Sequence, residues 1–301
     1  MKLNQLRDVI TVAEKGSLRA ASRHLGLAQS AMTKSIQVLE KELGAPLFER
    51  HKRGTVLTPM GTLFLQRARI ATSELSRARE EVQQHLGGGA GSVVACLSIV
   101  PHMVLLPQVL TPFLARYPQV KLTVLEGLGF PAVEKQLRDG AIDFFIGVEP
   151  AQRPPAGFVI EKLFDNERLV VARKGNPLRN AKSLADLTRV RWVLGSPTYA
   201  EVTFAALFRK YRLPVPRQLT FAGSVLGQMQ ILLHTDMLSV LPRQCLDTVP
   251  MKGLLIQVPI REVIHSPPIV LVRRASLPLT PAAEYFCDLA RRASAGIRKT
   301  A

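Results

Sequence analysis

The sequence predicts a chain that is α/β overall but divided in three: an all-α N-terminal unit closed by a small hairpin, one long helix, and a C-terminal unit of alternating strands and helices. Three observations carry this. Apolar residues recur at steps of three and four through the first 86 residues, the period of helices packed on one face. The run Gly87, Gly88, Gly89, Ala90, Gly91 then breaks the pattern, as a flexible hinge would. Beyond it, short apolar runs alternate with helical patterns, the arrangement of strands joined by crossover helices.

The 301 residues are enough for more than one domain, and 47% hydrophobic with 21% charged residues is the balance of a folded chain. The net charge of +17 favours a polyanionic partner, because each phosphate contact releases condensed counterions. It does not locate that partner. Residues 1–90 hold 14 Lys and Arg against 8 Asp and Glu, so most of the excess lies later, including Arg291, Arg292, Arg298 and Lys299. Glu14, Lys15, Arg19 and Arg23 interrupt the first 25 residues, so no secretory leader is expected. Pro101, His102, Pro107 and Gln108 interrupt the apolar stretch 93–110, which reads as a strand and a helix rather than a membrane span. Cys96, Cys245 and Cys287 are isolated, which suggests buried thiols in a reducing cytoplasm.

The first helix is expected over 3–15, with Leu3, Leu6, Val9, Ile10 and Ala13 on one stripe. Gly16 ends it and the Ser17 hydroxyl caps the next, 18–25, with Ala20, Ala21 and Leu25 inward. Gly26 permits a left-handed turn. The third helix, about 29–43, turns Met32, Ile36, Leu39 and Leu43 to the core. Two short helices joined by a glycine turn make a helix-turn-helix, and the early residues of its second helix are then free to meet base edges. Here these are Gln29, Ser30, Thr33, Lys34 and Gln37. Gln pairs with adenine, Thr meets a thymine methyl, and Lys reaches guanine or phosphate. Between Phe48 and Thr58 lies a hairpin tipped by Arg50, His51, Lys52, Arg53 and Gly54, suited to the DNA backbone beside the groove. Leu18, Arg19 and Thr58 complete the expected contact set with double-stranded DNA.

From Pro59, a good helix start, a helical run reaches Leu86. Phe64, Ala68, Ala71, Leu75, Ala78 and Val82 follow at alternating steps of four and three, a heptad seam, with Arg67, Arg69, Glu74, Arg77, Arg79, Glu80 and Glu81 off it. Pairing of two copies through this seam would set two readers about one DNA turn apart. Packing on the chain's own C-terminal unit is the alternative.

After the hinge, strands are expected at 93–99, 121–126 and 143–148, with helices at 104–116 and 131–138, in a parallel sheet. A second half follows, with strands near 169–172, 192–195, 219–221 and 239–241 and helices near 204–211, 226–234 and 244–249. A strand at 269–273 and a helix at 281–293 close the chain.

The segment AASRHLGLAQSAMTKSIQVLEKELGAPLFER at 20–50 resembles the DNA-binding signature of LysR-type transcriptional regulators. The matching positions are Ala20, Ala21, Leu25, Gln29, Ala31, Ile36, Leu39–Glu40, Leu43–Gly44, Leu47–Phe48 and Arg50, and LTPMG at 57–61 matches the wing exit. Ala28 stands where the family usually has Ser or Thr, and Ser30 where it often has Pro. LRDGAIDFFIG at 137–147 extends the resemblance, which then spans nearly the whole chain.

The resemblance implies a winged helix-turn-helix over 1–58, a dimerising linker over 59–91, and an effector domain over 92–301 with the two-lobed fold of type-2 periplasmic binding proteins. Its lobes would be about 92–161 plus 267–301, and 162–266. It implies an effector cleft between the lobes, and ligands of open α/β sheets do sit beyond the carboxyl ends of strands. The residues there are Ser98, Val100, His102, Leu128, Gly129, Phe130, Val148, Glu149, Ser196, Thr198, Tyr199, Gly223 and Ser224. Hydroxyls and helix-start amides suit an organic anion, with Phe130 and Val100 supplying apolar surface. The resemblance further implies a homotetramer built as a dimer of dimers on an interrupted palindrome. Effector binding would shift an equilibrium between DNA-bending states and so change contact with RNA polymerase.

Rival readings are an enzyme, a cytoplasmic solute-binding protein, and a non-specific DNA packer. HExxH, GxSxG and P-loop motifs are missing, and GLGFPA at 127–132 fits GxGxxA only with Pro131 inside the loop. The six His (His24, His51, His85, His102, His234, His265) lack metal-ligand spacing, so neither metal nor cofactor is expected. The N-terminal reader argues against a solute-binding role alone, and the large C-terminal unit against a simple packer.

Overall fold

The structure is a computed structural model that describes residues 1–51, 54–86, 91–126, 130–152, 156–247 and 252–297, apart from the side chains of Arg50 and Pro131. Lys52, Arg53, Leu128, Gly129, Arg298, Lys299 and the hinge residues 87–90 lie outside the described residues.

Helices α1 (Leu3–Lys15), α2 (Leu18–Leu25) and α3 (Gln29–Leu43) enclose Val9, Val12, Ala21, Met32, Ile36 and Leu39. Ser17 caps α2 by accepting the Ala20 N–H at 3.0 Å, and Gly26 turns the chain at φ 65°. Leu3 and Leu43, expected inward, are exposed, because each sits at the outer end of its helix beyond its neighbours' reach. Asp8 is buried on α1 and accepts the Ser35 hydroxyl of α3 at 2.5 Å. β1 (Phe48–His51) and β2 (Gly54–Leu57) form the antiparallel hairpin. Its entry is fixed by Glu40 of α3, whose Oε1 accepts the Leu47 N–H at 2.7 Å and the Phe48 N–H at 3.2 Å.

Helix α4 (Pro59–His85) starts with Thr58 accepting the Gly61 N–H at 2.9 Å. Gly61 lies so close to the hairpin entry that a Cβ there would stand 1.9 Å from the Leu47 carbonyl oxygen. The first turns of α4 bury Leu65 and Ala68 against α1. Further along, one face of α4 docks on the chain's own C-terminal unit. Ser73 and Arg77 donate to the Gly140 carbonyl at 3.2 and 3.1 Å, Arg77 pairs with Asp143 at 2.8 Å, and Arg274 pairs with Glu74 at 2.8 Å. Gln84 accepts the Ala282 N–H at 3.0 Å. The heptad seam lies elsewhere on the helix: Leu75 is 50% and Val82 57% exposed, with Ala71 and Ala78 open beside them. The helix therefore packs on its own chain along one face and leaves the later part of its seam, from Ala71 to Val82, open along another.

The first lobe is built on β3 (Ser92–Leu97), β4 (Lys121–Glu126), β5 (Phe144–Val148), β6 (Phe158–Phe164) and β12 (Ile269–Arg274), in the order β4-β3-β5-β12-β6. The three strands expected to lie parallel do so, with β3 between β4 and β5, and the sheet is then extended by β12, which runs antiparallel to both β5 and β6. β12 returns from the other lobe, so it enters the sheet from the opposite end. Strand β6 escapes the sequence pattern, because Glu161 and Lys162 interrupt its apolar run, and it extends past the expected lobe limit at 161. Helices α5 (Ile99–Val104), α6 (Leu106–Arg116), α7 (Phe130–Arg138) and α12 (Pro281–Ile297) cover the sheet. The helix expected at 104–116 thus starts earlier and breaks at Leu105, since Pro101 and Pro107 are each tolerated only in a first turn.

The second lobe has a three-stranded antiparallel sheet, β10-β7-β11, of β7 (Arg168–Arg173), β10 (Ser239–Pro242) and β11 (Leu255–Gln257). The parallel pair β8 (Trp192–Leu194) and β9 (Leu219–Phe221) continues it through the Val193 N–H, which donates to the Leu238 carbonyl at 2.8 Å. A helical run of α8 (Pro197–Tyr199), a π-turn (Ala200–Phe204) and α9 (Ala205–Lys210) packs Phe204 and Phe208 on Trp192. Helices α10 (Val225–His234) and α11 (Gln244–Asp247) complete it. The chain crosses between lobes twice, near 165–167 and 264–268, and Asn166 ties the crossings by donating to the Ser266 hydroxyl at 2.8 Å. Among the described residues no helix is long and apolar enough to cross a membrane.

Candidate DNA-reading surface and interlobe cleft

The α3 N-terminus is presented to solvent. Ala28 precedes it in extended conformation without a side-chain cap, so the first amides of the helix stay available to an anion. Gln29, Ser30, Lys34 and Gln37 are exposed, and Thr33 is half-buried with its hydroxyl donating to the Gln29 carbonyl at 2.9 Å. Arg19 is exposed on α2. Leu18 packs into the core and can offer only its edge. Arg50 is on β1, while Lys52 and Arg53 of the hairpin tip lie outside the described residues. Thr58 requires correction. It is 6% exposed, and its hydroxyl is used twice, donating to the Pro46 carbonyl at 2.7 Å and capping α4. It holds the wing exit to the linker rather than standing free for DNA.

Between the lobes two cavities adjoin, about 540 and 580 Å³, and share Val148 and Arg168. The first is lined by Ser98, Val100, Asn166, Ser224 and Gln228 among others, and the second by Tyr199, Val202, Phe204, Leu207 and Val263 among others. Of the expected residues, Ser98, Val100, Val148, Glu149, Tyr199, Gly223 and Ser224 are therefore brought together. Phe130 is not: it is buried inside the first lobe against Phe145 and Phe158. His102 lines neither cavity, and its Nδ1 lies 3.2 Å from the Ser98 carbonyl one turn back. Ser196 is occupied in capping α8 through the Tyr199 N–H at 3.1 Å, and Thr198 is exposed outside the cleft. A strand's carboxyl end marks a region, and local helix starts decide which of the following side chains turn inward.

Arg168 is the principal residue that sequence reasoning missed. Its Nη1 donates to the Tyr199 hydroxyl at 3.0 Å, and the guanidinium lies 5.3 Å from that ring's centroid. Its hydrogen-bond partner is a phenol, which does not neutralise it, and the exposed carboxylates of Glu126 and Glu149 border the two cavities that it joins. Arg168 begins β7, and because β7 pairs antiparallel with β10, its first residue lies opposite the last of β10, Pro242. The carboxyl-end rule passes over such a position. Two more polar atoms at the cleft, Ser98 Oγ and Asn166 Oδ1, are buried without a hydrogen-bond partner in the protein. Buried polar atoms are normally satisfied, so these two stand out among the groups around the cleft.

Elsewhere burial governs the titratable groups. Burial raises the Asp143 carboxyl, against the lowering effects of Arg77 and the Val94 N–H. All three thiols are buried, and burial pushes Cys245 up to about 12 and Cys287 well above its ordinary value, so neither is a ready thiolate.

Comparison with known proteins gives matches over most of the chain. Residues 3–62 match the family described as bacterial regulatory helix-turn-helix protein, lysR family, and residues 89–295 match the LysR substrate binding domain. The regulator GbpR of Azospirillum brasilense is 30% identical over 300 residues, covering 98% of this chain and 87% of its own. A full-length OxyR variant from Pseudomonas aeruginosa aligns with TM-score 0.70 at 22% identity, over 97% of this chain and 95% of that one. LysG from Corynebacterium glutamicum, solved with its effector Arg bound, aligns with TM-score 0.66 at 19% identity, over 98% and 99%.

Proposed function

The chain belongs to the LysR family of bacterial DNA-binding transcriptional regulators, with a helix-turn-helix and an effector-binding domain, and on that premise we propose how its parts act. Residues 1–58 read DNA, 59–91 pair two copies, and 92–301 sense a small molecule. Gln29, Ser30, Thr33, Lys34 and Gln37 meet base edges and nearby phosphates in the major groove, while Arg19, Arg50, Lys52 and Arg53 hold the backbone. Two α4 helices join through the seam that includes Leu75 and Val82, and two such dimers form the tetramer that spans an interrupted palindrome. The protein works in the cytoplasm, where the chromosome is.

The effector is an organic anion held between the lobes. The observation that carries this is Arg168, whose charge faces a cleft that also holds the unpartnered Ser98 Oγ and Asn166 Oδ1. A guanidinium offers a planar fork of donors that matches a carboxylate. Binding between lobes joined by two short crossings would favour one lobe arrangement over another, and through α4 one spacing of the readers over another. RNA polymerase then meets DNA of altered bend. Calorimetric titration of the full chain with short aliphatic and aromatic carboxylates tests the anion reading. Saturable binding of at least one acid is expected, and binding confined to cations or neutral sugars contradicts it.

A further inference from the structure

We propose that the interlobe site is shaped for an elongated, amphipathic carboxylate, with its head at Arg168 and an alkyl or arylalkyl body in the second cavity; this rests on reading the cleft as the effector site. The two cavities meet at Arg168 and Val148, and the second is the more apolar of the two. On the first side stand Ser98 and Asn166, with Glu126 exposed at its rim, and Asn166 is only 6% exposed yet keeps Oδ1 without a partner. That side suits oxygen atoms, bonded through water or a head-group hydroxyl.

The second side has a largely apolar wall. Val202 from the π-turn and Val263 from the returning crossing both line it, and they are 66% and 60% exposed. These two valines come from separate segments and border the same concave wall. Leu207 and Phe204 extend the same wall. Three successive residues of the π-turn, Val202, Thr203 and Phe204, line the cavity. Glu149, Lys210 and His265 also border this cavity but are exposed, so their charges remain solvated at its rim. A short hydrophilic acid would satisfy Arg168 and leave this wall wet. An acid with an apolar body would cover it.

The test is calorimetric titration of the full-length protein with the n-alkanoates from acetate to octanoate, with 4-phenylbutanoate, and with the neutral octanamide. Affinity is expected to rise with length, by about fourfold for each methylene that becomes buried. In the double variant Val202→Asn, Val263→Asn, acetate and butanoate should bind as before, while the gain at octanoate should shrink at least tenfold. Both positions are exposed, so the fold should be kept, and unchanged thermal melting would confirm that. In Arg168→Gln, all the acids should weaken by tenfold or more, and octanamide should bind poorly to either protein. Short acids that bind without any gain on lengthening overturn this proposal and leave the organic-anion reading standing. Octanamide binding as tightly as octanoate overturns the role of Arg168 as the anchor. Failure of every acid, short and long, removes the anion reading itself and this proposal with it.

Discussion

Arg77 of the linker helix places a guanidinium nitrogen 2.8 Å from the carboxylate of Asp143 at the start of strand β5, and both side chains are almost wholly withdrawn from water. The second oxygen of Asp143 accepts the Val94 N–H at 2.7 Å, so one carboxylate joins the linker to two adjacent strands of the first lobe. Glu74 with Arg274 and Gln84 with Ala282 extend this seam along the same helix. The sensor is thereby fastened to the helix that also carries the reader.

Removing Arg77 leaves a buried carboxylate without its counter-charge. Arg77→Gln should destabilise the protein by about 3 kcal/mol or more, because breaking one side of a buried pair costs more than the pair contributes. Burial already raises the Asp143 carboxyl, and loss of Arg77 raises it further. A carboxyl whose folded-state value lies above its unfolded value contributes stability at low pH and loses it as pH rises through the folded value. The melting-temperature gap between variant and wild type should therefore widen as pH rises above the ordinary carboxylate range. A gap independent of pH would mean Asp143 is not the group left exposed.

Thr58→Ala separates the two roles assigned to that residue. As a cap, the hydroxyl should contribute about 1–2 kcal/mol to stability, and its loss should leave DNA affinity per folded molecule unchanged. A fall in affinity with no change in melting would restore Thr58 to the DNA contact set.

Gln29→Ala and Lys34→Ala should differ in kind. Loss of Gln29 is expected to cost about 1–3 kcal/mol on the preferred site and to relax sequence choice at one base pair. Loss of Lys34, if it meets a phosphate, should weaken binding to all sequences evenly and reduce the slope of log affinity against log salt by about 1. Equal losses on specific and unrelated DNA from both variants would contradict the assignment of Gln29 to base reading.

Leu75→Glu together with Val82→Glu tests the seam. Both positions are exposed in the single chain, so each subunit should keep its fold while the pair comes apart. Sedimentation should then show a smaller species at micromolar concentration, with weaker binding to a two-half-site operator. An unchanged mass would mean the copies associate elsewhere.

Much of this was legible in the residues, and the gaps have physical causes. The helix-turn-helix was readable because Val9, Ala21, Ile36 and Leu39 repeat at helical steps and Ser17 and Gly26 punctuate them. The linker was readable because one residue in three or four is apolar over seven turns. What the linker touches was not: Asp143 lies 66 residues from Arg77 and reads locally as the first residue of a strand. The cleft was half legible. Ser98, Val100, Tyr199 and Ser224 follow strands or start helices, and such positions can be found by rule. Arg168 and Asn166 sit where the chain passes between lobes, and only the antiparallel return of the second sheet brings them to the same edge. Phe130 misled for a related reason. It follows a strand as Ser98 does, but its helix turns it onto Phe158, on a strand that Glu161 and Lys162 had hidden.

The most direct test is selection of DNA fragments by the full-length protein from a random or genomic pool, repeated with carboxylic acids and with Arg168→Gln. An enriched interrupted palindrome is expected, with a footprint that changes with at least one acid and does not change in the variant. Tight, salt-sensitive binding without enrichment, or a footprint that responds to acid equally well in Arg168→Gln, would contradict this reading.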